Sequence, residues 1–178
     1  RTADVALATG HLEQAFRAAQ LATIADRARA DAQPVPSDAA RAALARGQAL
    51  LLPVQSDDRL VTLALTRAGL SAAAMLLDPA TATRAAAQLC HPGYDAGAAW
   101  RLGQALFAPA LLDALGGVDH VTLVGSGPLA PLPLGLLLTA PPTPRTAPAF
   151  ASRRFAFATR PLVAPGDQAP APATCRRP

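Results

Sequence analysis

VDHVTLVGSGPLAPLPLGLLL, residues Val118 to Leu138, is the stretch on which the reading of the chain turns. It opens with His120-Val121-Thr122-Leu123-Val124, an apolar, β-branched run that predicts a buried strand. Gly125-Ser126-Gly127-Pro128 then forces a tight turn, because Gly tolerates positive φ and Pro fixes its own. Pro131 and Pro133 exclude a helix or a central strand for the next residues. The apolar loop Leu129-Ala130-Pro131-Leu132-Pro133-Leu134 is therefore expected to be irregular yet packed beneath something. A helical turn becomes possible only from Gly135 onward.

Three functional motifs compete for this stretch. GSGPLA fits the dinucleotide pattern G-x-G-x-x-A after a strand. That fingerprint needs a helix whose first-turn N–H groups meet a pyrophosphate, and Pro128, Pro131 and Pro133 remove donors and break the helix. No acidic residue follows about 20 positions on, where the ribose partner belongs. A nucleophile elbow around Ser126 fails because position 124 is Val rather than Gly. PLAP fits a PxxP ligand, but such ligands are exposed polyproline, and the leucines here argue for burial.

Working upstream, Ala98 to Leu115 predicts a helix with Trp100, Leu106, Phe107, Leu111 and Leu115 on its core face, kinked or redirected at Pro109. Asp78-Pro79 opens another helix, running to about Leu89. Before it the period changes. Ala49 to Val54, Arg59 to Thr66 and Leu70 to Leu77 are apolar runs joined by polar or Gly turns, which is the pattern of an antiparallel meander. Pro53 marks the first run as an edge strand. A nucleotide-binding domain would more often open strand–helix–strand. Ser37 is the expected N-cap of a short helix that stops at Gly47. Gln33-Pro34-Val35-Pro36 is a linker. Residues 11 to 31 form an amphipathic helix on Leu12, Ala15, Phe16 and Ala19. Downstream, residues 140–144 form a proline-rich loop. Phe155 to Thr159 is a strand, with a possible extension through Leu162 and Val163. The tail from Pro165 is expected to be disordered.

With these residues on the page, the order of elements from about residue 44 to residue 163 resembles the CHAT family, caspase-like domains attached to TPR arrays. There the strand is followed by Pro-Asp-Gly and a leucine-proline-aromatic run. Gly127, Leu129, Leu132, Pro133 and Leu137 match that run. Gly125 and Ser126 stand in place of Pro-Asp, and Leu134 in place of the aromatic. Phe157 and Arg160-Pro161 stand where the family has a Tyr and a Pro-Ser pair. The resemblance implies an α/β fold: the amino-terminal fragment of a caspase-like domain, with an antiparallel meander, flanking helices and a preceding TPR-like helical segment. The expected division is 1–33 as the end of that array, 34–164 as the CHAT-like part and 165–178 as tail.

Composition narrows the functional classes. The chain has 178 residues, enough for one domain or for a domain and part of another. The net charge is +4, and all 16 basic residues are Arg, scattered without a stripe. Nucleic-acid binding would want clustered charge interleaved with aromatics, and aromatics make up only 4%. The sequence shows no basic-then-apolar leader and no apolar run long enough to span a bilayer. Cys90 and Cys175 give no disulfide framework. The expectation is a cytoplasmic protein without nucleic-acid or membrane partners. Its partners would be proteins, as peptide substrate or scaffold, together with upstream helical repeats. The chain lacks an initiating Met, which suggests further sequence upstream.

The resemblance implies cysteine proteolysis by a dyad in which a His, in a His-Gly pair, activates a Cys on a later strand. No His follows His120 and no His-Gly pair occurs. Cys90 and His91 are adjacent and would diverge by about 100° on a helix, so His91 is read as supporting the last helical turn. His11 lies at a helix start, His120 at a strand entrance and Cys175 in the tail. Metal spacings such as C-x-x-C are missing. No catalytic, cofactor-binding or metal-ligating residue is therefore assigned, no cofactor is expected, and the chain by itself is expected to be inactive. The parent is read as a caspase-like peptidase or, alternatively, a non-catalytic interaction module on a helical scaffold. A nucleotide-binding enzyme using GSGPLA ranks below both. A sheet cut short would leave an apolar edge that recruits other chains.

Overall fold

The switch from helical to strand periodicity at Gly47 is where the sheet begins. The computed structural model describes residues 11–26, 32–56, 58–89, 93–125, 127–130, 132–143 and 145–163. Helices α1 (Leu12–Asp26) and α2 (Ser37–Ala42) precede a meander of β1 (Gln48–Gln55), β2 (Arg59–Thr66) and β3 (Leu70–Leu76). Helices α3 (Pro79–Leu89), α4 (Ala96–Leu106) and α5 (Pro109–Ala114) then lead to β4 (His120–Val124). Three 3-10 turns, at Gly127–Leu129, Leu134–Leu136 and Ala151–Arg153, separate β4 from β5 (Ala156–Arg160). The five strands make one mixed sheet in the order β3-β2-β1-β4-β5. The meander pairs antiparallel, and β1, β4 and β5 run parallel.

Alternation along the strands sends side chains to two cores. On one face Ala49, Leu51, Leu60, Ala64, Val121 and Leu123 pack against α3, α4, α5 and the turns after β4. On the other, Leu50, Leu52, Leu63, Leu65 and Val124 pack against Ala15, Phe16 and Ala19 of α1 and Ala40 of α2. Leu51 and Leu123 are register partners across β1 and β4, and both are fully buried. Each such leucine contributes roughly 1.5–3 kcal/mol. The buried hydroxyl of Thr62 donates to the Ala105 carbonyl at 2.9 Å, which ties β2 to α4. Among the described residues no helix is long and apolar enough to cross a membrane.

Several expectations are corrected in detail. Pro53 does not mark an edge strand: β1 lies inside the sheet, between β2 and β4. Its pairing with β4 covers only Gln48 to Leu51, however. The Ser56 N–H donates to Arg59 of β2 at 2.9 Å, so alternation turns position 53 toward the other side of β1. There β4 has already ended, and the missing N–H of Pro53 costs no ladder bond. Ser37 does not cap α2. Pro36 holds that position, and the Ser37 N–H instead donates to Glu13 Oε1 of α1 at 3.0 Å. Glu13→Ala is expected to lower stability by about 0.5–1 kcal/mol, read from urea denaturation, whereas Ser37→Ala should change little.

The segment 98–115 is two helices rather than one. Pro109 begins the second, with Ala108 as its N-cap. Leu106, Phe107, Leu111 and Leu115 are buried as expected, while Trp100 is only partly so. Strand β5 begins at Ala156 and ends at Arg160, without the extension to Leu162 and Val163. The linker is strapped down: the Gln20 side chain accepts from the Val35 N–H at 2.8 Å and donates to its carbonyl at 2.9 Å. The residues of the expected tail lie outside those described, as do 27–31 of the first helix.

Candidate functional site

In a sheet with parallel strands, ligands bind outside the carboxyl ends of those strands, which here means the turn after β4. Gly125 sits where an added Cβ would stand 3.2 Å from the Ala130 Cα, so the chain doubles back tightly. Gly127 takes φ 55°, a left-handed conformation that favours glycine. The N–H groups that follow are consumed locally. Ala130 donates to Gly127 at 3.2 Å, Leu132 to Leu129 at 3.2 Å, and Leu134 to Leu132 at 2.9 Å. Leu136 donates to Pro133 at 2.9 Å, and Leu137 to Leu134 at 3.1 Å.

Among the described residues no α-helix follows β4, and 3-10 turns that satisfy themselves stand where the amides of a pyrophosphate cradle would be. Leu129, Leu132, Leu134 and Leu137 are buried in the core beneath α3 and α4. At these leucines the segment is a packed turn system. Ser126 and Pro131 lie outside the described residues. Beyond Leu138 the proline-rich loop is closed at its base. Leu138 bridges Phe150, and the Thr139 N–H and hydroxyl both reach the Ala149 carbonyl, at 2.9 and 3.1 Å.

At the opposite end of β4 stands an ionisable pair, Asp119 and His120. The Gly47 carbonyl accepts from the N–H groups of Asp119 and His120 at 2.9 and 3.0 Å, and the Asp119 carbonyl accepts from Ala156 at 2.7 Å. This clamps the starts of β1, β4 and β5 together. His120 Nδ1 lies 2.6 Å from Asp119 Oδ1. The hydrogen bond from His120 is the main cause holding the Asp119 carboxyl below the usual carboxylate range. Hydrophobic period gives no signal for this pair, because Asp119 precedes the strand that His120 opens.

A carboxylate orienting an imidazole is half of a nucleophile-activating set. Among the described residues no hydroxyl or thiol is hydrogen-bonded to His120. The pair also stands at the amino end of the strands, away from where such sheets hold ligands. Gly47 has φ 78°, and an added Cβ there would meet Asp119 Oδ1 at 2.6 Å. His120→Ala is expected to let the Asp119 carboxyl titrate upward toward its ordinary value, followed by carboxyl NMR. A depressed carboxyl stabilises the fold above its unfolded-state value and loses that contribution as the pH falls through the folded value. The His120→Ala chain should therefore lose less stability on acidification than the parent.

Of the remaining candidates only His11 falls among the described residues, exposed just before α1. Cys90, His91 and Cys175 lie outside the described residues. Among the described residues no three His, Cys, Asp or Glu side chains cluster as a metal site would require. Phe107, Phe155 and Phe157 form an aromatic cluster with centroids 5.8 to 6.1 Å apart. Arg154 lies over the Phe155 ring and donates to the Leu112 carbonyl at 3.1 Å, which pins β5 to α5. No family model matches the chain, and no curated protein or solved structure matches it.

Proposed function

We propose that the chain is the sheet-bearing, amino-terminal part of a CHAT-like domain whose parent is a caspase-like cysteine peptidase, with the His/Cys dyad supplied by sequence outside residues 1–178. The observation that carries this reading is the sheet order. A meander passes through three helices into parallel β4, and β5 adds parallel to β4. Among the described residues, no further strand pairs with β5 beyond β4. A further parallel strand would complete the ladder and cover the edge of β5. On this reading the turn after β4 is a structural support for the sheet, and the parent acts on peptide. Two cysteines without a framework fit a reducing, cytoplasmic setting.

The second reading, a non-catalytic interaction module on a helical scaffold, is favoured by α1. That helix shares a core with the sheet through Ala15, Phe16 and Ala19 and leaves Glu13, Gln14, Arg17 and Leu21 exposed. Expressing the chain with its native downstream coding sequence separates the two. The peptidase reading expects a higher melting temperature and covalent labelling of a downstream cysteine by a peptidyl electrophile. An extended chain that melts no higher and shows no peptide-dependent labelling would favour the module.

A further inference from the structure

The edge at the opposite end of the sheet has a sequence of its own. Strand β3, Leu70-Ser71-Ala72-Ala73-Ala74-Met75-Leu76, carries no charge and no proline. Edge strands are ordinarily blunted by Lys, Pro or a bulge. Among the described residues β3 pairs only with β2. Thr66 and Gly69 exchange both backbone hydrogen bonds, at 2.9 and 3.2 Å. In an antiparallel ladder the inward-bonding residues then alternate. Residues 71, 73 and 75 therefore bond toward β2, and Leu70, Ala72, Ala74 and Leu76 present their N–H and C=O groups outward.

These four positions are symmetric about Ala73. We propose that β3 is a homodimerisation edge, at which two copies of this chain pair antiparallel about a two-fold axis at Ala73. In that register Leu70 faces Leu76 of the second copy, and Ala72 faces Ala74. Each is a hydrogen-bonded pair, which gives about eight inter-chain bonds. Leu76 is 72% exposed, the most exposed large apolar side chain among the described residues. Antiparallel pairing sets the Leu70 of the second copy beside it. Charge agrees: Arg67 and Asp78, both exposed, flank β3 at opposite ends, so the two-fold brings each toward the other's counterpart. Seven residues of edge bury less than the roughly 1,200–2,000 Å² of a standard interface, and the dimer is a reversible one.

The register makes the test sharp. Ala73 faces its own copy in a non-hydrogen-bonded pair, with Cα atoms about 4.5 Å apart, within the ~4.4–6.8 Å that a disulfide spans. Two copies of Ser71 would stand more than about 13 Å apart. In the full chain with Cys90 and Cys175 replaced by serine, Ala73→Cys should cross-link on oxidation and Ser71→Cys should not. Sedimentation of the unmodified chain should show mass rising from 18.1 kDa toward twice that value with concentration. Ala74→Lys and Leu76→Lys should each abolish the rise while leaving the circular dichroism spectrum and melting temperature of the monomer intact. A monomer at every concentration would overturn the proposal. So would equal cross-linking at 71 and 73, or a dimer indifferent to both lysine substitutions.

Discussion

Replacing Gly103 with alanine is expected to lower stability by about 1–3 kcal/mol, the cost of forcing atoms into a packed core, and the melting temperature by roughly 5–10 °C. Two effects oppose each other here. Alanine is the better helix former by about 1 kcal/mol, and Gly103 lies inside α4. Its Cβ, however, would sit 1.9 Å from the Leu138 carbonyl oxygen and 3.0 Å from the carbonyl carbon. Those are backbone atoms that cannot rotate away. They belong to the segment that closes the turn system after β4, where the Leu138 N–H approaches the Ala99 carbonyl at 3.4 Å. The helix and that segment must separate, and the clash outweighs the propensity gain. Gly93 is the control, since nothing lies within 4 Å of an added Cβ there; Gly93→Ala should be neutral or slightly stabilising. Thermal melts of the two variants check this, and a Gly103→Ala chain at least as stable as the parent would contradict it.

Leu132→Ala should cost roughly 2–5 kcal/mol, the transfer free energy of the lost side chain plus the cavity it leaves. Leu132 sits between two prolines of the sequence yet is only 5% exposed, in the same core as Leu129, Leu134 and Leu137. The 3-10 turns on either side hold the backbone, so the site collapses poorly around a void. Leu136, in the same turn system, is 41% exposed, and truncating it should change stability by no more than about 0.5 kcal/mol. Denaturant midpoints of the two truncations give the contrast. Equal, small losses would mean that the segment is the exposed ribbon its prolines suggest on their own.

Much of this architecture was legible because hydrophobic spacing is local. The strand at 120–124, the three runs of the meander, the apolar face of α1 and the buried leucines after Gly127 all follow from period and from the refusal of proline to enter helix or sheet. What was not legible depends on partners distant in sequence. Pro53 reads as an edge residue, and it is one only in the half of β1 that outlasts β4. Ser37 reads as a cap, but Pro36 holds that position and the Ser37 amide donates to a carboxylate from position 13. A glycine at 103 reads as a weak spot in a helix, and only the return of the chain at Leu138 shows that nothing larger fits. The Asp119–His120 contact rests on the side-chain geometry of a residue just before the strand, about which hydrophobic period says nothing.

The central claim is that residues 1–178 build a scaffold without a working catalytic pair. Incubating the purified chain with a peptide library and a cysteine-directed alkylating probe tests it most directly. Dyad chemistry needs a thiolate and an imidazole within hydrogen-bond reach, and the sequence offers Cys90 and Cys175 no His-Gly pair. The expected result is no turnover, with Cys90 and Cys175 alkylated as ordinary thiols whatever peptide the probe carries. Peptide-dependent labelling of Cys90 or Cys175 with matching turnover, lost on changing that cysteine to alanine, would contradict the account.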